Sequence, residues 1–319
     1  MTKSGGRIGA ASQIPWYPSR AIHMRTPICL ITGATEGVGK ATAIGLAKRG
    51  ITVVMAARSP AKAEKVKWDI ARTTGNADTD YIVADLASLQ QVRRLAETFR
   101  ERYPHLDILI NNAGVVLPAR TVTGDGYETT FQVNYLSHFL VTQLLLGELE
   151  KSEQGRIINL SSSVYTMGKL DRDNLQGEKR FSAMGAYSAS KLFMLLFTIE
   201  LARRLGESRI TANAAHPGIV RTPMMLQVPG ALRFVSYLAL PFSIPPQDGA
   251  ATSVYLALSQ EVRDRSGQYF VRCKARDIKS KFNTETVREA LWDISMEYGQ
   301  LAGRRREVSS QTNKRFRND

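Results

Sequence analysis

The sequence predicts an α/β protein with one doubly wound parallel sheet and helices on both faces. Three observations predict it. Short apolar runs alternate with amphipathic stretches of helical length from Ile28 onward. A glycine-rich turn joins the first apolar run to the first helical stretch. The composition, 43% apolar and 23% charged, is that of a chain able to bury a core. At 319 residues the chain is long enough for two domains of ~150 residues each, yet doubly wound sheets often reach this size as one unit.

Strands are expected at 28–31, 52–56, 81–83, 108–110, 156–160, 211–215 and 268–270. Between them lie helical patterns near 40–49, 61–73, 89–102, 129–149 and 186–205. Helices of this length between parallel-type strands give a right-handed βαβ series. Residues 1–26 hold Gly5, Gly6, Gly9, Pro15 and Pro18 with no apolar period, so a flexible leader is expected before a domain at 27–302. The leader lacks the apolar core of a secretory signal, and a start at Met24 stays open. Residues 303–319 are expected to be a basic disordered tail.

Net charge is the unusual feature, with 43 basic and 29 acidic residues giving +14. Much of the excess lies at the ends, in Lys3, Arg7, Arg20 and Arg25 and again in Arg304, Arg305, Arg306, Lys314, Arg315 and Arg317. A basic chain attracts nucleic acid or anionic lipid. No zinc-finger spacing or aromatic RNA-binding signature accompanies the charge, so no specific nucleic-acid partner is expected. Solvated tails are the plainer reading. Cys29 and Cys273 are too few and too far apart for a disulfide framework, which suggests reduced thiols and a cytoplasmic location. His23, His105, His138 and His216 form no pair at metal-ligand spacing, so no metal site is expected. No run of ~18 apolar residues is present to span a bilayer.

The chemistry begins at Thr32-Gly33-Ala34-Thr35-Glu36-Gly37-Val38-Gly39, between a strand and a helix. Glycines allow the tight turn and let a pyrophosphate approach the helix N-terminus. The spacing Gly-x-x-x-Gly-x-Gly departs from the usual dinucleotide fingerprint, and alone it is only a turn. The second strand ends at Ala56-Ala57-Arg58-Ser59 with no acid to accept from a ribose hydroxyl. Arg58 can instead pair with the 2′-phosphate of NADP, against the alternative of an exposed surface arginine. Glu36 opposes that phosphate, but an exposed repulsion is the weaker effect. Asp85 either accepts from an adenine amino group or caps the helix beginning near Ser88. Asn111-Asn112-Ala113-Gly114 leaves room for a ribose, or is a turn and no more. Tyr187 and Lys191 share a helix face. An ammonium near a phenol favours phenolate and lowers its pKa from ~10, which would make Tyr187 a general acid/base. Without such a role they are a Tyr and a Lys on a helix surface. Ser162, in the run Ser161-Ser162-Ser163, is placed to hydrogen-bond a substrate oxygen.

In this order the pieces resemble the short-chain dehydrogenase/reductase family, over about residues 27–300. The carriers are the glycine loop, Asp85, Asn111-Asn112-Ala113-Gly114, Ser162, Tyr187-Ser188-Ala189-Ser190-Lys191 and Pro217-Gly218. The resemblance implies a single Rossmann-type domain with Tyr187 as proton donor/acceptor and Ser162 orienting the substrate. It implies that Lys191 binds the nicotinamide ribose and lowers the tyrosine pKa, and that Asn134 positions a relay water. It also implies cofactor contacts from Gly33, Thr35, Glu36, Gly37, Val38, Gly39, Arg58, Asp85, Leu86, Asn112, Ala113, Gly114, Tyr187, Lys191, Pro217, Gly218 and Val220. Within the family the chain is most similar to the retinol dehydrogenase-like reductases, through Ala57-Arg58-Ser59, Val133 to Leu140, Leu175 to Arg180, Ser266 to Phe270 and Ala290 to Asp293. Protochlorophyllide reductases share the central part.

The expectation is therefore an NADP(H)-dependent enzyme that interconverts a hydrophobic alcohol and its aldehyde or ketone. A lid at about 221–246, with Met224, Met225, Phe234, Tyr237 and Phe242, would close its pocket. The prolines there allow only a short helix. The same apolar stretch is otherwise ordinary core, or a peripheral contact with a membrane surface. An oligomer stays open. Two rivals remain, an NADP-binding interaction protein without turnover and a nucleic-acid-binding protein.

Overall fold

The inner strands of the sheet are buried on both faces, and the order in which the strands pair locates the site. The structure is a computed structural model and describes residues 25–221 and 243–301. Within it the strands are β1 (Ile28–Thr32), β2 (Thr52–Ala57), β3 (Thr79–Val83), β4 (Ile108–Asn111), β5 (Arg156–Leu160), β6 (Thr211–His216), β7 (Tyr269–Val271) and β8 (Lys274–Arg276). The helices are α1 (Gly37–Ala47), α2 (Pro60–Thr74), α3 (Leu89–Arg102), α4 (Ser137–Glu150), α5 (Ala183–Leu205), α6 (Pro246–Leu258) and α7 (Glu285–Tyr298). The sheet runs β3-β2-β1-β4-β5-β6-β7-β8. Strand order reverses between β1 and β4, which leaves a crevice at the carboxyl ends of the strands where α/β sheets bind ligands.

Alternate strand residues build two cores. Leu30, Val54, Leu109 and Ile157 pack with α3, α4, α5 and α7 on one face. Ile31, Met55, Ile110 and Ile158 pack with α1, α2 and α6 on the other. The expected doubly wound architecture is present, with corrections at its margins. The sheet is parallel only as far as β7, because β8 returns antiparallel through a two-residue hairpin. All three residues of β8 are exposed, so no apolar run announced it.

The stretch expected as one helix at 129–149 is instead one helical turn (Thr129–Phe131), a π turn (Gln132–Leu136) and α4. One inserted residue is invisible to an apolar period. Pro246 starts α6 at its first position, where a missing N–H costs nothing, so it belongs to a helix and not to the lid. The rest of the expected lid, 222–242, and its Met and aromatic residues lie outside the described residues. So do 1–24 of the leader and the tail 303–319. Arg25 is docked on the domain, its guanidinium donating to Lys151 O at 2.9 Å and lying 3.5 Å from Asp107, so the domain includes residues before the expected boundary at 27. Among the described residues no helix is long and apolar enough to cross a membrane.

Candidate active site

The carboxyl ends of β1, β4, β5 and β6 and the N-terminal half of α5 bring most of the expected residues to the crevice. Gly33 turns with φ +66°, and a Cβ there would lie 2.7 Å from Ala113 Cα, so only glycine lets the β1 and β4 loops touch. Gly37 also has positive φ, and Gly39 packs against the Gly33 carbonyl and the Asn112 amide. Glu36 occupies the N-cap of α1 with no side-chain cap bond, and the first turn has no acid. The free N–H groups of that turn, beside Thr35 and Val38, fit an anion such as a pyrophosphate.

Arg58 is exposed after β2 and has no hydrogen bond or ion pair among the described residues. Lys62, on the first turn of α2, lies 3.9 Å from Glu36 and draws that carboxylate aside. Sequence reasoning missed Lys62 because a lysine on an amphipathic helix carries no spacing signal. Asp85 does not cap α3. Ser88 does, accepting from Gln91 N at 3.3 Å, while Asp85 folds the turn before it by accepting from Ala87 N at 2.9 Å. Leu86 is buried beside it, and its carbonyl accepts from Ser137 Oγ.

After β4, Asn112 donates its amide to Thr32 O at 2.7 Å, which locks the turn against the glycine loop. Asn111, in the strand, bonds Thr142 and Asn159 and belongs to the core. The π turn presents Asn134. Its Oδ1 accepts from Val115 N at 2.7 Å and its Nδ2 donates to Ser190 Oγ at 3.1 Å, so it ties the β4 loop to the helix of Tyr187. Gly114 leaves room there, since a Cβ would lie 3.4 Å from Asn134 Oδ1 and 3.7 Å from Lys191 Nζ.

On α5, Lys191 Nζ lies 5.6 Å from the centroid of the Tyr187 ring and donates to Leu160 O at 3.0 Å. The protein's own groups do not lower the phenol pKa as expected. Burial pushes Tyr187 up to about 12 and Lys191 down to about 8. Ser161 is buried and donates to Lys191 O at 2.9 Å, whereas Ser162 is half-open and Ser163 exposed. Of the three serines, then, Ser161 is structural and Ser162 is partly open at the carboxyl end of β5. Beyond β6, Gly218 turns with φ +89°, and Val220 pairs with Ile244, so Arg221 and Ser243 stand side by side.

A separate cavity of about 310 Å³ lies against Phe131, Ala186, Ala189 and Phe193 and the loop 167–182. None of the expected catalytic side chains lines it. Among the described residues no cluster of His, Cys, Asp and Glu could hold a metal ion.

A glycine-turn crevice at the strand switch, flanked by a half-buried Tyr187 and a buried Lys191 one helical turn apart, defines an oxidoreductase of the kind that works with a nicotinamide cofactor. The family described as short chain dehydrogenase matches residues 27–229, and the chain belongs to that family. It is similar to mouse retinol dehydrogenase 14, with 41% identity over 83% of this chain and 84% of the relative. It is also similar to human retinol dehydrogenase 11, with 40% identity over 84% of each. Among solved structures, a short chain dehydrogenase from Burkholderia cenocepacia in complex with NADP has a TM-score of 0.62 and 29% identity, covering 76% of this chain and 95% of that one. The Pseudomonas aeruginosa RhlG/NADP complex has a TM-score of 0.63 and 26% identity, covering 76% and 93%.

Proposed function

We propose that the chain is an NADP(H)-dependent oxidoreductase that interconverts a hydrophobic alcohol and its aldehyde or ketone, with Tyr187 as general acid/base. The observation that carries this reading is the placement of Lys191 between the Tyr187 ring and the Gly114–Asn134 corner. When bound, the cofactor supplies or accepts the hydride. The residues of the chain do the rest. Gly33, Gly37, Gly39 and the α1 N-terminus accept the pyrophosphate, and the free guanidinium of Arg58 pairs with the 2′-phosphate. Thr35, Val38, Asp85, Leu86, Asn112, Ala113, Pro217, Gly218 and Val220 line the rest of that cleft.

In the reductive direction Ser162 hydrogen-bonds the carbonyl oxygen and Tyr187 protonates it. A phenol with its pKa held high stays protonated at neutral pH, which suits it to donate. Lys191 supplies positive charge beside the phenol and a donor for the ribose. Asn134, fixed at both ends of its amide, holds the relay water. The names of the relatives point to retinoids as the first substrate class to test, the two distant cysteines favour a cytoplasmic location, and the basic excess favours peripheral contact with anionic membrane surfaces.

Purified protein should oxidise NADPH in the presence of retinaldehyde or another hydrophobic carbonyl, followed at the nicotinamide absorbance. Tyr187→Phe should abolish turnover and leave NADPH binding within about twofold. Wild-type turnover in that variant would remove Tyr187 from the mechanism. NADPH binding without reduction of any retinoid, steroid, lipid or aromatic carbonyl would favour an interaction protein instead.

A further inference from the structure

His138 is fully buried in the first turn of α4, and no step of the proposed mechanism uses it. Both ring nitrogens are engaged. Nδ1 lies 3.1 Å from Asn134 O, and Nε2 lies 2.9 Å from Thr32 Oγ1. Counting hydrogens fixes the direction of both bonds. Thr32 Oγ1 accepts from the backbone N–H of Asn112 at 2.9 Å and of Ala113 at 3.0 Å. A hydroxyl offers two acceptor sites and one proton. With both acceptor sites filled, the Thr32 proton points at His138, since its other acceptor, Ile110 O, is 3.5 Å away. Nε2 therefore accepts, the ring proton sits on Nδ1, and Nδ1 donates to Asn134 O. Burial and the nearby charge of Lys191 both hold the ring neutral. An imidazolium would in addition aim a second proton at Thr32, where no lone pair is left.

A single chain of bonds thus runs from the backbone of Asn112 and Ala113 through Thr32 and His138 to the carbonyl of Asn134. One end is the turn that faces the cofactor cleft. The other is the π turn, whose Asn134 side chain reaches Val115 and Ser190. In this turn Ser137 N–H donates five residues back, to Gln132 O, so the local ladder is already shifted and a side chain holds the Asn134 carbonyl.

We propose that His138, neutral and protonated on Nδ1, is a positioning residue that holds the Asn134 carbonyl in register with the cofactor-facing turn and so sets the geometry of proton delivery to Tyr187. The proposal rests on the roles given above to Asn134 and Tyr187.

Three variants separate its two bonds. Asparagine carries an amide near the Nδ1 position, glutamine reaches the Nε2 position, and phenylalanine keeps the volume but neither bond. His138→Phe and His138→Gln should lower kcat at least tenfold, raise the solvent deuterium isotope effect on kcat, and leave the Kd of NADPH within threefold. His138→Asn should recover most of the lost kcat by restoring donation to Asn134 O. If all three lose activity only in proportion to their folded fraction, with an unchanged isotope effect, His138 is a core residue and the proposal fails. The ring itself gives a readout independent of turnover. Nitrogen-15 NMR of histidine-labelled wild-type protein, assigned by the signal lost in His138→Asn, should show neutral His138 with its proton on Nδ1 from pH 5.5 to 9. A proton on Nε2, or a charged ring, overturns the proposal even if no carbonyl is reduced. Turnover surviving Tyr187→Phe would instead overturn the functional reading, and the NMR result would still decide the hydrogen-bond chain.

Discussion

Lys191 reaches past the Tyr187 ring, 5.6 Å from its centroid, and spends its one short hydrogen bond on Leu160 O at 3.0 Å. The ammonium is therefore fixed to the end of β5 by the sheet and not by the phenol. Burial alone brings its pKa from 10.5 down to about 8. Carbonyl reduction needs that charge, so kcat/KM with NADPH should decline above about pH 8 while Tyr187 is still protonated. A profile flat to pH 10 would contradict it.

The same burial sets a stability cost. The folded-state pKa lies below the unfolded one, so the cost is fully present below pH 8, fades between about 8 and 10.5, and is absent above. Lys191→Met removes a penalty of ~3 kcal/mol and leaves Leu160 O without its partner, a loss of ~2 kcal/mol. The variant should be inactive yet more stable by about 1 kcal/mol at pH 7, and less stable than wild type by about 1–2 kcal/mol at pH 10.5, where only the lost bond remains. Urea unfolding at the two pH values measures both. An inactive variant destabilised at pH 7 would show that the ammonium holds β5 to α5 more strongly than its burial costs.

Ser161 and Ser162 separate position from chemistry. Ser161 Oγ donates to Lys191 O at 2.9 Å inside the core, whereas among the described residues Ser162 Oγ accepts only a long bond, 3.5 Å, from Val164 N. Ser162→Ala should cut kcat by about a hundredfold or more at unchanged stability. Ser161→Ala should cost ~1 kcal/mol of stability and leave kcat within a few-fold. The reverse pattern, read from paired denaturation and turnover measurements, would move the catalytic role to Ser161.

Much of this arrangement was legible in the chain. Parallel strands buried on both faces are apolar runs, so β1 and β2 stood out, and α3 carries Ser88 at one end and Arg100 and Arg102 at the other. Tyr187, Lys191 and Ser162 were found because a motif spaces them. What stayed hidden has a physical reason in each case. The π turn that aims Asn134 is one extra residue within a continuous apolar pattern. The bonds from Thr32 to His138 and from Asn134 to Ser190 join polar side chains 106 and 56 residues apart, and no local spacing encodes such bonds. Helix α7 packs Leu291, Trp292 and Met296 against α5, but the charged residues Glu285, Arg288, Glu289, Asp293 and Glu297 interrupt its apolar pattern.

Cofactor choice should follow Arg58, with Lys62 and Glu36 as modifiers. Arg58 is exposed and has no partner among the described residues, so a 2′-phosphate gains a charge-assisted pair without breaking one of those. NADPH should bind at least tenfold more tightly than NADH, or ~1.4 kcal/mol, and Arg58→Ala should erase the difference. Glu36→Gln removes a negative charge and releases Lys62, 3.9 Å away, so it should strengthen NADPH further. Both groups are well exposed, and salt should shrink the effect. Equal affinities for the two cofactors in fluorescence titrations of wild-type protein would dismiss Arg58 as the selector.

The hairpin that joins β7 to β8 stores strain that a substitution should release. Arg272 and Cys273 form its two-residue turn with φ of +50° and +60°, and neither is a glycine. Positive φ at both central positions is the type I′ hairpin turn, in which Asn-Gly is favoured and other residues cost about 1 kcal/mol or more each. Cys273 has compensation, because its N–H donates to Thr252 Oγ1 at 3.3 Å and its side chain packs on the α6 face of the sheet. Arg272 is exposed and has none. Arg272→Asn should therefore stabilise the fold by about 0.5–1 kcal/mol, raising the thermal midpoint by about 1–4 °C without changing turnover. Cys273→Gly should gain less or lose, since it empties a packed site. If Arg272→Asn is neutral or destabilising, the turn is held by contacts of the Arg272 side chain and not against them.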